Sequence, residues 1–375
     1  MIRVLSVFGT RPEGIKMAPV VRALEAAEGV ENRVCITSQH REMLRQVLDL
    51  FEIVADYDLD VMRSGQSLTD VTVDVLRRLE PVIAEFQPDW MVVQGDTTTA
   101  MTAALAGLYQ KVRIGHVEAG LRTGNLLSPF PEEANRKLVG AIATAHWAPT
   151  EGARANLLRE GIPSDAVLVT GNTVIDALHI VRERLECDPD LRARTDEKLP
   201  FVRSQDGKRL VLVTGHRREN FGHGMEELCR ALAALSERGD VRIVYPVHLN
   251  PNVQEPVRRL LGGRPDVHLI EPMGYLPFAR LLQIADIVIT DSGGIQEEAP
   301  VFGKPVLVTR DTTERPEAIE AGVAQLVGAD SVRIVEAASR LLDDARAYAE
   351  MANAVSPFGD GRASARIVQH LCSMT

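Results

Sequence analysis

The chain has 375 residues, 45% of them hydrophobic and 25% charged, a balance that suits a globular protein long enough for two domains with separate cores. A formal net charge of −10 argues against a general nucleic-acid or anionic-membrane surface, so a polyanionic ligand has to be held by local cations and helix ends. Cys35, Cys187, Cys229 and Cys372 lie far apart, with neither a C-x-x-C pair nor metal-ligand spacing, which reads as free thiols in a reducing compartment.

The opening residues MIRVLSVFGT start directly on an apolar strand pattern, no run approaches membrane-spanning length, and the expected location is the cytoplasm. Short β-branched runs at 4–8, 34–36, 91–93, 114–117 and 167–169 alternate with stretches of helical period, the pattern of a parallel sheet covered on both faces. A second set follows at 210–213, 242–245, 267–270, 287–289 and 306–308. Between the sets, residues 186–209 are polar, rich in Asp and Arg and carry two prolines, so they are the candidate join between two doubly wound α/β domains. Ligands of open α/β sheets bind outside the carboxyl ends of the strands, which places a cleft between the domains and puts the functional residues just after each run.

Those strand ends carry unusual chemistry. After the first run, Gly9-Thr-Arg-Pro-Glu-Gly-Ile-Lys16 nearly matches the P-loop pattern, but Ile15 replaces the lysine and Lys16 stands where the magnesium-binding hydroxyl belongs, which argues against a Walker NTPase. Arg11 and Lys16 in this turn either clamp a diphosphate or are plain surface cations beside a helix start. The G-x-G-x-x-G fingerprint is missing here, which lowers the case for a nicotinamide cofactor. After 91–93 comes Gln94-Gly-Asp96-Thr-Thr-Thr, where Asp96 is either a cleft acid or an N-cap, and the threonines can cap the next helix. After 114–117 comes Glu118, with Arg122 four residues on as a structural ion-pair partner, and Glu132 stands at a helix start near Pro131. Three acids at neighbouring strand or loop ends favour acid and base chemistry over any one of the structural readings.

The later half repeats the theme. His216, in Thr214-Gly-His-Arg217-Arg218, would titrate near neutral pH or donate to a phosphate oxygen; His248 ends a strand, and His116 lies inside one as a core group. Asp56-Tyr-Asp58 and Asp58-Leu-Asp60 spell D-x-D, yet fall in an acidic connector and read as a solvated loop, and no metal site is expected. The stretch IVITDSGGIQEEAPVFGKPVLVTRDTTER at 287–315 reads as strand, turn, helix start and strand. It sets the Ser292, Gly293 and Gly294 amides at the positive end of a helix, where a phosphate is attracted, and follows them with Glu297 and Glu298 as acceptors for sugar or ribose hydroxyls.

The blocks FGTRPEGIKMAP, QHREML, QGDTTT, GHVEAGLR, SPFPEEANR, TGNTVIDAL, GHRREN, YPVHLNP, TDSGGIQEEAP and RDTTERPE run in order over nearly the whole chain, which thereby resembles the bacterial non-hydrolysing UDP-N-acetylglucosamine 2-epimerases. The resemblance implies a GT-B architecture: a Rossmann-like domain over 1–170, a second over 171–359 that binds UDP, and a last helix at about 360–375 crossing back onto the first. It also implies interconversion of UDP-N-acetylglucosamine and UDP-N-acetylmannosamine without a cofactor, by a homodimer, for cell-envelope polysaccharide synthesis. Inversion at C2 would proceed by loss of UDP to a 2-acetamidoglucal and its re-addition. Carried over motif by motif, Asp96, Glu118, Glu132 and His216 are the catalytic candidates; Arg11, Lys16, Ser292, Gly293, Gly294 and Arg315 would meet the diphosphate, Glu298 the ribose and Phe278 the uracil. Some members bind a second substrate molecule as activator. Gln39, Arg217 and His248 match that allosteric set, whereas Glu42 and Gly65 stand where those members carry Gln and Arg. A GT-B glycosyltransferase and a hydrolysing 2-epimerase are the alternatives.

Overall fold

The computed structural model describes residues 1–38, 41–63, 65–199 and 207–374. The chain forms two compact units, one of Met1–Ala177 with Phe358–Thr375, the other of Leu178–Pro357.

In the first unit seven strands make one sheet: β1 Ile2–Phe8, β2 Val30–Ile36, β3 Tyr57–Asp58, β4 Trp90–Gln94, β5 Arg113–Val117, β6 Ala145–Ala148 and β7 Val167–Val169. Their order is β3-β2-β1-β4-β5-β6-β7, all neighbours parallel. Helices cover the sheet, so its central strands are apolar on both sides; Leu5, Val7, Met91 and Val93 are buried with Val75, Leu79 and Phe86 of the helix Leu68–Phe86. Burial of each such side chain contributes roughly 1.5–3 kcal/mol.

The second unit has six strands, β8 Arg209–Thr214, β9 Val241–Pro246, β10 Val267–Ile270, β11 Ile287–Thr290, β12 Val306–Val308 and β13 Ala324–Leu326. Their order is β10-β9-β8-β11-β12-β13, again all parallel. Its core joins Val211, Val213, Ile243 and Ile289 to Leu228 and Leu232 of the helix His223–Ser236. In both sheets the chain reverses its direction of winding at one place, between β1 and β4 and between β8 and β11. The loops that follow those four strands therefore diverge to opposite faces and leave a crevice at each sheet's carboxyl edge.

Three strands escape the sequence pattern. β3 has only two residues, β6 is AHWA with no β-branched residue, and β13 is the short run AQL. β3 also corrects the reading of the D-x-D stretch as a solvated loop. Asp56 accepts from the Val34 amide at 2.8 Å, and Asp58 from the Ser38 hydroxyl at 2.6 Å and the Asp60 amide at 3.0 Å, so two of these acids pin the sheet edge. The polar stretch 186–209 is likewise more than a connector, because Asp188 caps a helix over Pro189–Glu197, proline being suited to its first turn. The chain leaves the first unit at Ala177, inside the helix Thr173–Cys187, and returns at Phe358. The final helix, Ala363–Ser373, packs on the helix Arg11–Glu25 and is fixed by Asp176, which accepts from the Ser364 amide at 2.8 Å. Among the described residues no helix is long and apolar enough to cross a membrane.

Candidate active site

In the first unit the loop after β1 is built around Glu13. This fully buried carboxylate accepts from the Gly9 amide at 3.0 Å, the Thr10 amide at 2.7 Å and the Thr97 hydroxyl at 2.5 Å. Thr10 in turn caps the helix Arg11–Glu25, closing a capping box. Two amides of this turn are thus filled by the protein's own anion, and the loops after β1 and β4 are tied together. Burial pushes the Glu13 carboxyl up, against the hydrogen bonds from Thr97, Gly9 and Thr10.

Beside this tie lies a polar cluster. Glu118, at the end of β5 and in the left-handed region with φ of 62°, is held by close contacts from Lys16 and the Gln94 amide, and by the Asn172 amide at 3.1 Å. Gly95, with φ of 71°, lets the backbone pass close by; a Cβ there would stand 3.6 Å from the Glu118 carboxylate. Asp96 pairs closely with Arg136 of the helix Glu132–Ile142, and the Asn135 amide donates to the Asp96 carbonyl at 2.8 Å. Burial pushes the Asp96 carboxyl up; Arg136 and Lys16 oppose that, and Glu118 and Glu132 add to it. Glu132 opens the helix with a buried Oε2 that has no hydrogen-bond partner among the described residues. Its neighbour Glu133 closes the preceding loop, taking the Thr123 and Gly124 amides at 3.1 Å each. Three carboxylates and two cations thus share a partly dry pocket, an arrangement able to accept and return protons.

In the second unit the corresponding loops meet on Asp291. It is fully buried, and its Oδ2 accepts from the His216 and Arg217 amides at 2.9 Å each and from the Asn220 side chain at 3.3 Å. The His216 ring stacks on His248 with centroids 5.5 Å apart, and Asn250 donates its amide to His248 Nδ1 at 3.1 Å. Burial pushes the His216 imidazole below its ordinary range, Asp291 pulling it back up and His248 and Arg217 pushing it further down. The six-residue helix Gly293–Glu298 starts beside these groups. A Cβ on Gly293 would lie 3.8 Å from the Arg217 guanidinium, 3.9 Å from that of Arg315 and 3.9 Å from a Glu314 carboxylate oxygen, so two cations and one acid converge beside the start of this helix. Arg315 also pairs with the buried Glu297, and Arg217 lies 3.8 Å from Glu314.

Several expectations change. Glu118 does not pair with Arg122; Lys16, Gln94 and Asn172 hold it, while Arg122 forms a two-pronged pair with Glu160 at 2.9 and 2.7 Å. The left-handed turn at Glu118 aims its carboxylate back across the sheet ends, away from its own loop. Asp96 is not the N-cap, a role taken by Thr97, which accepts from the Ala100 amide at 3.0 Å. Lys16 faces a carboxylate rather than standing as an open cation. The three amides of the Ser-Gly-Gly turn are not equivalent, because Ser292 donates to Thr290 Oγ1 at 2.9 Å and leaves Gly293 and Gly294 to start the helix. Glu297 is committed to Arg315, and Glu298 lies a turn on, its Oε1 3.4 Å from a Cβ built on Gly294. Arg11 makes no ion pair among the described residues, Phe278 is half-buried on the helix Tyr275–Ile284, and Gln39 lies outside the described residues. Arg217 and His248 stand beside His216. His116 is a core group, its Nε2 bonded to the Gly95 carbonyl at 2.8 Å. Sequence reasoning passed over Glu13, Asp291 and Asn172; a buried-type run broken by a lone acid, as in VITDSGG, was the available signal for Asp291.

Two Rossmann-like domains, each doubly wound, one with a cluster of carboxylates and the other with cations near its switch point, place the chain among α/β enzymes of the GT-B class. The model of the UDP-N-acetylglucosamine 2-epimerases matches residues 22–372, and the chain belongs to that family of isomerases. It is 57% identical over 371 residues to the UDP-N-acetylglucosamine 2-epimerase of Yersinia pestis, covering 99% of this chain and 98% of that one. The crystal structure of the Neisseria meningitidis enzyme bound to UDP-GlcNAc superposes with a TM-score of 0.89 at 50% identity, covering 99% of this chain and 100% of that one. That of the Methanocaldococcus jannaschii enzyme, in complex with UDP-GlcNAc and UDP, does so with a TM-score of 0.79 at 32% identity, covering 99% and 100%.

Proposed function

We propose that this chain interconverts UDP-N-acetylglucosamine and UDP-N-acetylmannosamine by eliminating UDP and adding it back. The C2 proton of the sugar is weakly acidic, so its removal becomes feasible when the C1–oxygen bond to UDP breaks in the same step. The C–H electron pair then forms the C1=C2 bond of a 2-acetamidoglucal, and UDP carries away the C1–O pair. Re-addition of UDP at C1 and return of a proton to the other face of C2 gives the epimer. No oxidant is consumed.

The observation that carries this reading is the gathering of Asp96, Glu118 and Glu132, from two strand ends and a helix start, around Lys16 and Arg136. Asp96, with its carboxyl pushed up, exchanges a proton readily, and Glu118 stands fixed by Lys16 and Gln94 to act on the sugar from its own side. Glu132 offers an acceptor oxygen that no group among the described residues fills. His216, Arg217, Arg315 and the amides of Gly293 and Gly294 meet the growing charge of the departing diphosphate. Glu298 takes the ribose hydroxyls and Phe278 lines the uracil. A glycosyltransferase would need the cations but not three acids at strand ends.

Proton NMR of the protein with UDP-N-acetylglucosamine in heavy water tests this. The epimer should appear with deuterium at C2, without any acceptor and without steady accumulation of UDP. Sugar transfer only in the presence of an acceptor, or quantitative release of UDP with free N-acetylmannosamine, would replace the reading by one of its two rivals.

A further inference from the structure

The Asp291 carboxylate is an odd neighbour for a bound diphosphate. It is fully buried, it follows directly on β11 and immediately precedes the Ser-Gly-Gly turn, and its negative charge opposes the ligand. Its Oδ2 is saturated by His216 N–H, Arg217 N–H and the Asn220 amide, whereas its Oδ1 is buried with no hydrogen-bond partner among the described residues. That open oxygen lies 3.6 Å from His216 Nδ1, just beyond hydrogen-bond reach. A buried carboxylate oxygen left open costs free energy, and a small turn of the imidazole would fill it. The His216 side chain is 42% exposed, so it is free to make that turn on its outer side, with His248 stacked against it.

We propose that Asp291 is a positioning residue for His216: its open Oδ1 receives the Nδ1–H of the ring, and the ring then presents Nε2–H to the diphosphate as it departs. The inference rests on the epimerase reading above and adds to it the group that orients the imidazole. The second-unit pocket works as a relay of fixed charge. The carboxylate stabilises an imidazolium as the leaving group gains charge, and the same carboxylate, through two backbone amides, sets where Arg217 starts. Asn220 braces this arrangement from behind by donating to the Thr309 carbonyl at 3.1 Å. A neutral amide in place of Asp291 would still accept from the backbone but would not favour the charged ring.

Asp291→Asn in the full chain tests the assignment by two readouts, steady-state kinetics of epimerisation and the pH titration of His216 followed by ¹⁵N-histidine NMR. The groups facing that ring are Asp291 from the end of β11, His248 from the loop after β9, and Arg217 from its own loop, so the titration reports on this set. The expected result is a kcat lower by roughly ten- to a hundredfold with KM changed by less than about threefold, together with a His216 midpoint displaced to lower pH. The same exchange made on His216→Asn should cost no further kcat. Wild-type kcat in Asp291→Asn, or a loss of stability with the His216 midpoint unmoved, overturns the proposal. Should the variant not fold, the wild-type protein with UDP alone decides: Nδ1 of His216 must carry a proton in the complex, and an unprotonated Nδ1 refutes the assignment. The UDP measurement does not involve turnover, so failure of the epimerase reading and failure of the dyad are separately visible.

Discussion

The two units share one topology and use it oppositely. Each winds outward from a central pair of parallel strands, and each ties the two loops of its switch point with one buried carboxylate, Glu13 in the first and Asp291 in the second. Glu13 fills the Gly9 and Thr10 amides, so these two amides of the glycine turn after β1 are withdrawn from any phosphate. Asp291 fills the amides of His216 and Arg217 instead, which turns those side chains outward and leaves Gly293 and Gly294 at a helix start between two arginines. A single carboxylate placed one loop differently thus separates an edge suited to protons from an edge suited to an anion. The fold supplies the crevice, and the local anion sets which charged groups line it.

The largest effect should come from the acids of the first unit. Glu118→Gln keeps the shape but loses the charge that Lys16 and Gln94 hold in place. Turnover should fall by about 10²–10⁴-fold, with the circular dichroism spectrum unchanged. Asp96→Asn should do likewise. Near-normal epimerisation in both variants would end the assignment of proton chemistry to this unit.

Next in size is the tie itself. Glu13→Ala leaves two buried amides and the Thr97 hydroxyl without their acceptor, and should cost about 2–4 kcal/mol in urea unfolding of the first unit. The freed amides then sit at the start of the helix Arg11–Glu25, where an anion is attracted. Added phosphate should therefore recover part of the lost stability in Glu13→Ala and none in the wild type. Equal protection of both proteins would show that the glycine turn was open all along.

A smaller change separates the second unit. Arg217→Ala removes one of two guanidiniums beside Gly293 and should weaken UDP binding roughly tenfold by calorimetry, about 1.4 kcal/mol, with little change in the unfolding midpoint. Unaltered UDP affinity would return Arg217 to the separate regulatory role implied by its motif.

Much of this was legible in the sequence because the sheets are parallel and central. Strands such as VLSVF and LVLV are apolar on both faces, and the rule that ligands bind beyond the carboxyl ends of such strands then points to the loops that carry Asp96, Glu118, His216 and Gly293. What the pattern could not show is which partner a charged group takes across the sheet. Glu118 and Arg122 are four residues apart, the spacing of a helical pair, yet the chain there is a loop, and a left-handed residue sends the carboxylate to Lys16, 102 positions away. Glu13 was invisible for a related reason. In the string GTRPEGIK it looks like ordinary dressing of a helix start, and only the register of β1 beside β4 brings Thr97 to it. Edge strands β3 and β13 were missed because two or three residues at a sheet margin need no apolar pattern.

The smallest effect is a pH dependence of the first unit's stability, and it turns on two histidines outside the cluster. His116 and His146 are neighbours across β5 and β6, both buried, each with an Nδ1 that has no hydrogen-bond partner among the described residues. Burial pushes His116 down to about 3 and His146 to about 4, with nearby Arg122 adding to both. In the unfolded chain each returns to about 6.5. Between those limits the unfolded state binds more protons than the folded one, so stability present above about pH 6.5 is lost as pH falls, at up to about 1.4 kcal/mol per pH unit for each ring. Glu13 and Asp96, with carboxyls pushed up by burial, act in the opposite sense in the acidic part of that window, where the folded state binds the extra proton. The net slope is therefore less informative than its change. His116→Asn should flatten the dependence of unfolding free energy on pH between about pH 6.5 and 5 by up to one histidine's share, and leave the second unit's transition where it was. An unchanged slope would mean that His116 gains its proton in the folded state as easily as in the unfolded one, and that this strand is wetter than its burial implies.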